Sequence, residues 1–281
     1  MKHQKNMLCL GLAAVLSLSL LTACSGGNSA ATPAPADTTA PTDTAAPADT
    51  TAPAGFTTVE EGKLHMSTNA AFPPYEMTTD AGGFEGIDVE IAEAIAEKLG
   101  LELQIDDMEF TAALEAAQSG MSDMVMAGVT VDEDRLAVMD FTDSYATGVQ
   151  VIIVKEGSDV TLDNLGEQLI GTQRATTGNI YCTDDYGEDH VIAYDDGIVA
   201  VQDLLNGKVD AVVIDKAPAQ EFVSANPGLV ILDTEYANED YAIGVAKGNT
   251  ALVDAVNGAL AELTADGTIQ SIIEKYIPAE G

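Results

Sequence analysis

The same order of structural signals occurs twice along this chain, and the repeat is the strongest constraint on its fold. Each copy is a helical pattern that stops at a glycine, followed by two residues, an aspartate and a short apolar strand. Eight positions separate the glycine from the residue that closes the strand, from Gly120 to Gly128 and from Gly207 to Asp215. Glycine supplies the left-handed turn that ends a helix. This order is common in α/β chains, but the matched spacing favours two lobes of similar design.

Strand and helix patterns alternate along the rest of the chain, which predicts an α/β fold with mostly parallel sheets. Ligands of open α/β sheets bind beyond the carboxyl ends of the strands. If the two lobes face each other, Gly128 and Asp215 lie across one cleft. The predicted strands are 63–68, 101–105, 124–127, 149–154, 168–172, 191–193 and 211–214, and the predicted helices are 86–99, 110–119, 198–205 and two within 251–276.

The first residues have the features of an export signal. Lys2 and Lys5 give a positive start, and the apolar run over 8–21 is short for a permanent membrane span. Small residues precede Cys24, a spacing that resembles the lipobox of bacterial lipoproteins. We therefore expect a signal peptide over 1–23 and a lipid on Cys24 that anchors the protein to the membrane. An ordinary signal peptide or an N-terminal membrane anchor is the alternative.

Composition separates a tether from a folded part. Residues 24–55 are mostly Ala, Thr, Pro and Asp with almost no large apolar side chain, which predicts a disordered tether.

The whole chain has 46 acidic against 11 basic residues, a net charge of -35, so no basic surface is available for a nucleic acid. Neither histidine after the leader lies in a metal-ligand spacing, and we expect no metal and no cofactor.

Arg135, one of the two arginines in the chain, follows the first of the two repeated strand ends. Asp132 is a good N-cap for a short helix, and Arg135 would then point from the first turn toward Gly128. A guanidinium matches a carboxylate with a planar fork. Backbone N–H groups near Gly128 and Thr130, with the Thr130 hydroxyl, could complete an anion site. The alternative is a surface arginine paired with a neighbouring acid.

Asp215 closes the second repeated strand after four apolar residues. A buried carboxylate needs a partner, and a ligand ammonium is one candidate, with Lys216 or backbone amides as the others. Together Arg135 and Asp215 offer a positive and a negative site, which is what a zwitterion requires.

Two aromatic residues and one polar loop are further candidates. Phe72 lies in a proline-fixed loop over 69–75, and Phe110 follows the second strand. Both could form walls for an apolar part of a ligand, or could be ordinary core residues. The segment 173–179 could receive a carboxylate at a helix N-terminus, or could simply cap that helix.

From about residue 64 to 276 the chain resembles the polar-amino-acid solute-binding proteins of ABC importers, bacterial extracellular solute-binding protein family 3. The motifs that carry the resemblance lie in order along the chain: Thr68-Asn69-Ala70-Ala71-Phe72-Pro73-Pro74-Tyr75-Glu76, Gly86-Ile87-Asp88-Val89-Glu90, Ala127-Gly128-Val129-Thr130 with Arg135, Asp140-Phe141-Thr142-Asp143-Ser144-Tyr145, Gly171-Thr172-Gln173 with Thr176-Thr177-Gly178, Val209-Asp210-Ala211-Val212-Val213-Ile214-Asp215, Tyr241-Ala242-Ile243-Gly244-Val245, Asp266-Gly267-Thr268 and Lys275-Tyr276.

The resemblance implies a periplasmic-binding-protein-like α/β fold, with two lobes joined by a two-segment hinge and the ligand in the cleft between them. The crossing segments would lie near Tyr145–Gln150 and Glu239–Ile243. Lobe 1 would comprise 56–146 and 243–281, and lobe 2 would comprise 147–242.

The resemblance also implies roles for individual residues. Arg135 would clamp the ligand α-carboxylate, Asp215 would take the α-ammonium, and the two phenylalanines would flank the side chain. The ligand-binding residues expected on this basis are Asn69, Phe72, Phe110, Ala127, Gly128, Thr130, Arg135, Gln173, Thr176, Thr177 and Asp215.

The function implied is that of a monomeric, lipid-anchored extracytoplasmic protein that binds a free L-amino acid and delivers it to ABC permease subunits. Asn69 stands where many relatives with basic or amide ligands have an acid, whereas the surroundings of Gln173 resemble those of some arginine binders. Glutamine-like and basic ligands therefore both stay open. The alternatives are an enzyme on the same scaffold, similar to cyclohexadienyl dehydratases, with Glu76 or Glu109 as its acid, and a sensory ligand-binding module.

Overall fold

The computed structural model describes residues 55–278, so the predicted signal peptide, Cys24 and nearly all of the predicted tether lie outside the described residues. The strands are β1 (Lys63–Thr68), β2 (Ala71–Phe72), β3 (Glu76–Thr78), β4 (Phe84–Glu85), β5 (Glu102–Asp107), β6 (Met124–Val125), β7 (Met139–Lys155), β8 (Ile170–Gln173), β9 (Val191–Tyr194), β10 (Ala211–Asp215) and β11 (Leu229–Ala246). The helices are α1 (Ile87–Leu99), α2 (Phe110–Ser119), α3 (Glu133–Val138), α4 (Thr177–Tyr186), α5 (Gly197–Leu205), α6 (Lys216–Ala225), α7 (Thr250–Ala265) and α8 (Thr268–Tyr276), with short 3-10 helices at Leu162–Glu167 and Glu188–His190.

Eight strands are hydrogen-bonded in the order β5-β1-β6-β11-β7-β10-β8-β9. The parallel strands β5, β1 and β6 form the centre of lobe 1, and the parallel strands β10, β8 and β9 form the centre of lobe 2. Every antiparallel pair in this sheet involves β7 or β11. The prediction of mostly parallel sheets is therefore right within each lobe and wrong for the strands that join the lobes.

The two long strands β7 and β11 run antiparallel to each other through both lobes. Gly148 lies opposite Glu239 in their register, within the predicted crossing segments. The two-lobed α/β fold with a two-segment connection is thus confirmed, while the residue at which each lobe begins stays a prediction. Between residues 55 and 278, no helix is both long and apolar enough to cross a membrane.

The helical spacing in the sequence becomes a buried face in the structure. Ile87, Ile91 and Ile95 of α1 are fully buried, and α1 packs against α7. The helix ends at Gly100 in the left-handed conformation, with φ of 69°. In the repeated pattern, Gly120 and Gly207 both have φ of 71°, which confirms the left-handed turn expected at each.

Several elements were not predicted because their sequences lack a clear period. Strand β7 begins at Met139 instead of 149, since its first half is polar and half-exposed. The first part of β11 is mostly exposed or half-buried and carries acids, and α6 follows β10 with no intervening loop. A small antiparallel sheet, β2-β3-β4, was also not predicted, because its strands are only two or three residues long.

Candidate functional site

A narrow cavity lies between the lobes, with an internal space of about 10 Å³, roughly the room that one water molecule needs. All eleven residues predicted to bind the ligand line it, together with Glu76, which was not among them. The structure thus brings the predicted set together, and the role of each residue in binding stays a prediction. The lining residues are Asn69, Phe72, Glu76, Phe110, Ala127, Gly128, Thr130, Arg135, Gln173, Thr176, Thr177 and Asp215.

The carboxyl ends of parallel strands assemble this lining. In lobe 1, Asn69 follows β1 and Ala127 lies just beyond β6, while Phe110 begins the helix that follows β5. In lobe 2, Gln173 is the last residue of β8 and Asp215 is the last residue of β10. Because parallel strands end at the same edge of a sheet, residues distant in sequence meet at one cavity.

Arg135 is buried and charged at the boundary of the two lobes. Asp132 caps α3, because its Oδ1 accepts a hydrogen bond from the Arg135 backbone N–H at 2.7 Å. The guanidinium donates to the Thr130 carbonyl at 2.7 Å and to the Ala175 carbonyl of lobe 2 at 3.0 Å, and its Cζ lies 5.6 Å from the Phe110 ring centroid. Burial lowers its pKa from 12.5. The alternative of a surface arginine is therefore wrong, since only 7% of the residue is exposed.

Ala175 has an unusual backbone for a residue with a side chain. Its φ is 61°, in the left-handed region that costs a non-glycine residue about 1–2 kcal/mol. The turn aims its carbonyl at Arg135 and lets Thr176 cap α4, with the Thr176 hydroxyl accepting from the Asn179 N–H at 3.3 Å. The polar loop after β8 is therefore both a helix cap, as one interpretation held, and a wall of the cavity.

Gly128 differs from the prediction in one respect. Its backbone N–H was expected to be free for an anion, but it donates to Asp88 Oδ2 at 2.9 Å. Asp88 also accepts from the Tyr145 hydroxyl at 2.8 Å. Burial raises the pKa of Asp88 to about 6, and these two hydrogen bonds hold the rise back. The Gly128 amide thus belongs to the interior of lobe 1 and is not available to a ligand.

Asp215 is buried at the end of β10, with 6% of the residue exposed. The hydroxyl of Tyr241, on the crossing strand β11, donates to its Oδ1. Burial raises the pKa of Asp215 to about 7, and the charge of Glu239 adds to the rise. An ammonium in the cavity would give this carboxylate the positive partner that it lacks.

Direct contacts hold the two lobes together across the cavity. Gln173 Nε2 donates to Asn69 Oδ1 at 2.9 Å, and the hydroxyls of Thr130 and Thr177 are 3.4 Å apart. These pairs join lobe 1 to lobe 2 without any charged group. The structure therefore has a closed cleft.

A row of aromatic rings begins at the cavity, which Phe72 lines, and continues behind it. Phe72 stacks on Tyr75 with ring centroids 5.9 Å apart, and Tyr75 meets Tyr241 edge to face at 5.3 Å. Sequence reasoning missed Tyr241, although it begins one of the motifs in the resemblance. Since Tyr241 lies on β11, this row of rings connects Phe72 to one of the strands that join the lobes.

Glu76 is the acid that the predicted set omitted. It is fully buried, no N–H or O–H group of another described residue donates to its oxygens, and its carboxyl lies within hydrogen-bond reach of the Asp88 carboxyl. Burial raises its pKa well above 4.5, and the nearby Asp88 carboxyl adds to the rise. The signal in the sequence was an acid directly after the Pro73-Pro74-Tyr75 loop. Glu109, the other acid considered, is exposed and does not line the cavity.

Comparisons with known proteins agree with this geometry. Residues 64–279 match the sequence model of the bacterial extracellular solute-binding proteins, family 3. The L-cystine-binding protein TcyJ of Escherichia coli K12 is 30% identical over 225 residues, covering 79% of this chain and 85% of TcyJ. An ancestral arginine-binding protein bound to glutamine is 37% identical, with a TM-score of 0.73 over 77% of this chain and 98% of its own. ArtJ of Geobacillus stearothermophilus, which binds arginine, lysine and histidine, is 32% identical, with a TM-score of 0.74 over 78% and 96%.

Proposed function

The chain belongs to the bacterial extracellular solute-binding proteins of family 3, and on that premise we propose that it captures a free amino acid outside the cytoplasm and delivers it to the permease of an ABC importer. The observation that supports this most is a buried guanidinium and a buried carboxylate lining one interlobe cavity, Arg135 and Asp215. The two charges match the two ends of a zwitterion.

In this proposal Arg135 holds the ligand α-carboxylate. Two of its N–H groups already donate to carbonyls and its Nε lies 3.3 Å from Asp132 Oδ2, so the other two Nη hydrogens are left to receive a carboxylate. Thr130 and Thr176 add hydroxyl groups at the same end of the cavity. Asp215 takes the α-ammonium, and the rings of Phe72 and Phe110 flank the side chain. Binding energy then closes the two lobes about β7 and β11.

The ligand is a polar amino acid, either glutamine-like or basic. Asn69 and Gln173 can each donate and accept, so the amide pair across the cavity can reorganise around an amide or a cationic side chain. The named relatives bind cystine, glutamine or basic amino acids, all of which carry polar side chains.

We further propose that the protein is a monomer, binds without turnover, and is held at the membrane by a lipid on Cys24. The leader and the small residues before Cys24 support the anchor. Mass spectrometry of the mature N-terminus checks it, because an unmodified Cys24 or a cleavage elsewhere contradicts the lipoprotein form. Sedimentation of the purified protein checks the monomer.

A thermal-shift screen of the purified protein against the common amino acids tests the central proposal. A ligand that binds only the folded state at about 1,000 times its Kd stabilises by about 4 kcal/mol, a rise in Tm on the order of 10 °C for a chain of this size. At least one polar amino acid should give such a shift. A flat response to every amino acid would overturn the proposal.

A second candidate is an enzyme on the same scaffold, similar to cyclohexadienyl dehydratases. The observation in its favour is Glu76, a buried acid that lines the cavity and whose pKa is raised by burial, a shift that favours the protonated form a general acid requires. The named relatives are binding proteins, which favours the first proposal. Turnover of prephenate or arogenate by the purified protein would establish the enzyme instead.

A further inference from the structure

A second cavity lies behind the row of aromatic rings, and we call it the hinge cavity. Its internal space is about 340 Å³, against about 10 Å³ for the interlobe cavity, so it has room for a small organic molecule. Phe72 lines the interlobe cavity, whereas Tyr75 and Tyr241, the other two rings of the row, line the hinge cavity. The rings therefore separate the two spaces.

Both lobes and both crossing strands form the walls of the hinge cavity. Lobe 1 contributes Pro74, Tyr75 and residues 276–278, the strands β7 and β11 contribute 147–149 and Tyr241, and lobe 2 contributes the start of α6. A molecule that contacts all of these surfaces fits one arrangement of the lobes, and the arrangement here is the closed one. Its binding would therefore favour the closed cleft.

The start of α6 offers backbone donors to an anion. Asp215 holds the N-cap position of this helix of 10 residues, where an aspartate side chain normally accepts from the first N–H groups. Here the Asp215 carboxyl accepts from the Tyr241 hydroxyl instead, and no side chain caps α6. The first N–H groups of α6 therefore have no side-chain acceptor, and an anion in the hinge cavity would supply one at the end of the helix that favours negative charge.

Two side chains of the hinge cavity lack the partner that an anion would supply. Tyr75 is almost fully buried, with 4% of the residue exposed, and its hydroxyl makes no hydrogen bond in the described part of the chain. Lys216, the first residue of α6, forms no ion pair there either. A carboxylate accepts from a hydroxyl and from an ammonium. Pro74, Ile277 and Pro278 add apolar surface, which suits a ligand with an apolar body.

Two acids also line the hinge cavity, and both are compatible with a bound anion. Glu221 is exposed, so water and salt screen its charge. Asp215 lines both cavities, and an α-ammonium in the interlobe cavity would neutralise its charge from the other side. An amino acid in front of Asp215 and an anion behind it should therefore favour each other.

We propose that the hinge cavity is a second ligand site, which takes a small organic acid with a flat apolar body, and that its occupant strengthens amino-acid capture by stabilising the closed cleft. The carboxylate lies at the start of α6, between Lys216 and the Tyr75 hydroxyl, and the apolar body lies against Pro74 and residues 277–278. The site goes beyond the proposed function and does not depend on it, whereas the coupling between the two cavities does.

Benzoate is a suitable probe, and benzamide is its uncharged counterpart of nearly the same shape. Each is titrated calorimetrically into the purified protein, saturated with the amino acid that the thermal-shift screen identifies, so that the interlobe cavity is already filled. We expect benzoate to bind at least about tenfold more tightly than benzamide, because charge-assisted hydrogen bonds are the stronger ones. Equal affinity for the two probes, or no binding of benzoate at millimolar concentration, would overturn the inference.

The coupling has a reciprocal signature. Saturating benzoate should tighten amino-acid binding by about fivefold or more, and the amino acid should tighten benzoate binding by the same factor. Titration of each ligand with and without the other measures both factors. Weakening of the amino acid by benzoate would place benzoate in the interlobe cavity and contradict the second site, and independent binding would contradict the coupling. If the screen finds no amino acid, the proposed function fails, and the two probes titrated into the protein alone still decide the second site.

Two variants test the named donors. Lys216→Met removes the ammonium and keeps an unbranched apolar side chain, so it should weaken benzoate by roughly tenfold. Tyr75→Phe keeps the ring and should weaken benzoate several-fold by removing the hydroxyl. Lys155→Met is the matched control, since Lys155 also forms no ion pair in the described part of the chain and lies outside the hinge cavity. It should leave benzoate affinity unchanged, and a Lys216→Met variant that binds benzoate as tightly as the wild type would overturn the inference.

Discussion

The strand ends of the two lobes come from the same sequence pattern but carry opposite chemistry. In lobe 1 the pattern ends in Gly128, which has no side chain and whose N–H turns inward to Asp88. In lobe 2 it ends in Asp215, whose carboxylate lines the cavity itself. The repeated spacing positions the two ends alike, and the residue at each end decides what that lobe can recognise. Lobe 1 receives its charge separately, from Arg135 on α3.

The largest effect should come from removing the charge of lobe 1. Arg135→Ala deletes a buried guanidinium, and losing one partner of a buried charged contact costs about 3–5 kcal/mol, so ligand affinity should fall by more than about 100-fold. Calorimetry with whichever amino acid the screen identifies measures this loss, and circular dichroism checks the fold.

Arg174→Ala is the matched control for this variant. The Arg174 side chain is 53% exposed and pairs with Asp195 at 3.1 Å on the surface. Exposed pairs contribute about 0–1 kcal/mol, so affinity should stay within about twofold of the wild type. Retention of full affinity by Arg135→Ala would show that lobe 1 does not hold the carboxylate.

A smaller loss should follow from neutralising the end of lobe 2. Asp215→Asn keeps the shape of the side chain and removes the charge that faces the ammonium, so affinity should fall roughly 10- to 100-fold. An unchanged affinity would assign the ammonium to another group.

Asp215→Asn should also change how the stability of the ligand-free protein depends on pH. The pKa of Asp215 is raised in the folded state, so its contribution to stability is full at acidic pH and is lost as pH rises through about 7. The slope for one such group is up to about 1.4 kcal/mol per pH unit. Asp215→Asn should flatten the decline in the free energy of unfolding between pH 5 and pH 8. Asp88 and Glu76 have raised pKa values of the same sign and should preserve the rest of the decline.

The smallest effect should come from adding a methyl group at the end of lobe 1. Gly128 has φ of 55°, and a Cβ there would lie 3.0 Å from Phe72 Cε1. Gly128→Ala should lower stability by about 1–2 kcal/mol through backbone strain and should also displace the ring, reducing affinity several-fold.

Gly120→Ala separates these two causes. Gly120 has φ of 71° but no atom within 4 Å of its added Cβ, so this variant should lose similar stability and keep its affinity. Thermal denaturation and calorimetry on both variants make the comparison. Equal affinity for the two variants would show that the space beside Gly128 does not matter for binding.

Sequence reasoning could identify the cavity residues because they lie where patterned elements end. Asn69, Gln173 and Asp215 each close or follow an apolar strand, and such ends are visible without a structure. The family resemblance then favoured a ligand-binding role for Phe72 and Phe110, whose own context fits a core residue equally well. Strand ends and motifs together therefore identified eleven of the twelve residues that line the cavity, all except Glu76.

The remaining features depend on contacts between segments that are distant in the chain. Tyr241 reaches Asp215 only because β11 crosses both lobes, and Glu76 reaches the lining only because a two-residue strand pairs with Phe72. The bond from the Gly128 amide to Asp88 joins residues 40 positions apart. No local period encodes these pairings, since they follow from the packing of α1, the small sheet and the crossing strands.

The crossing strands also determine which part of the gene encodes lobe 2. Thr147 lies opposite Asp240 in the register of β7 and β11, so with the predicted boundaries the chain leaves lobe 1 and returns to it at neighbouring positions. Everything that lobe 2 contributes to the cavity, including Gln173, Thr176 and Asp215, is encoded between those two points. One uninterrupted stretch of gene could be replaced by a homologous stretch, and the exchange would combine a new lobe 2, with its own residue in place of Asp215, with the existing lobe 1 and its Arg135.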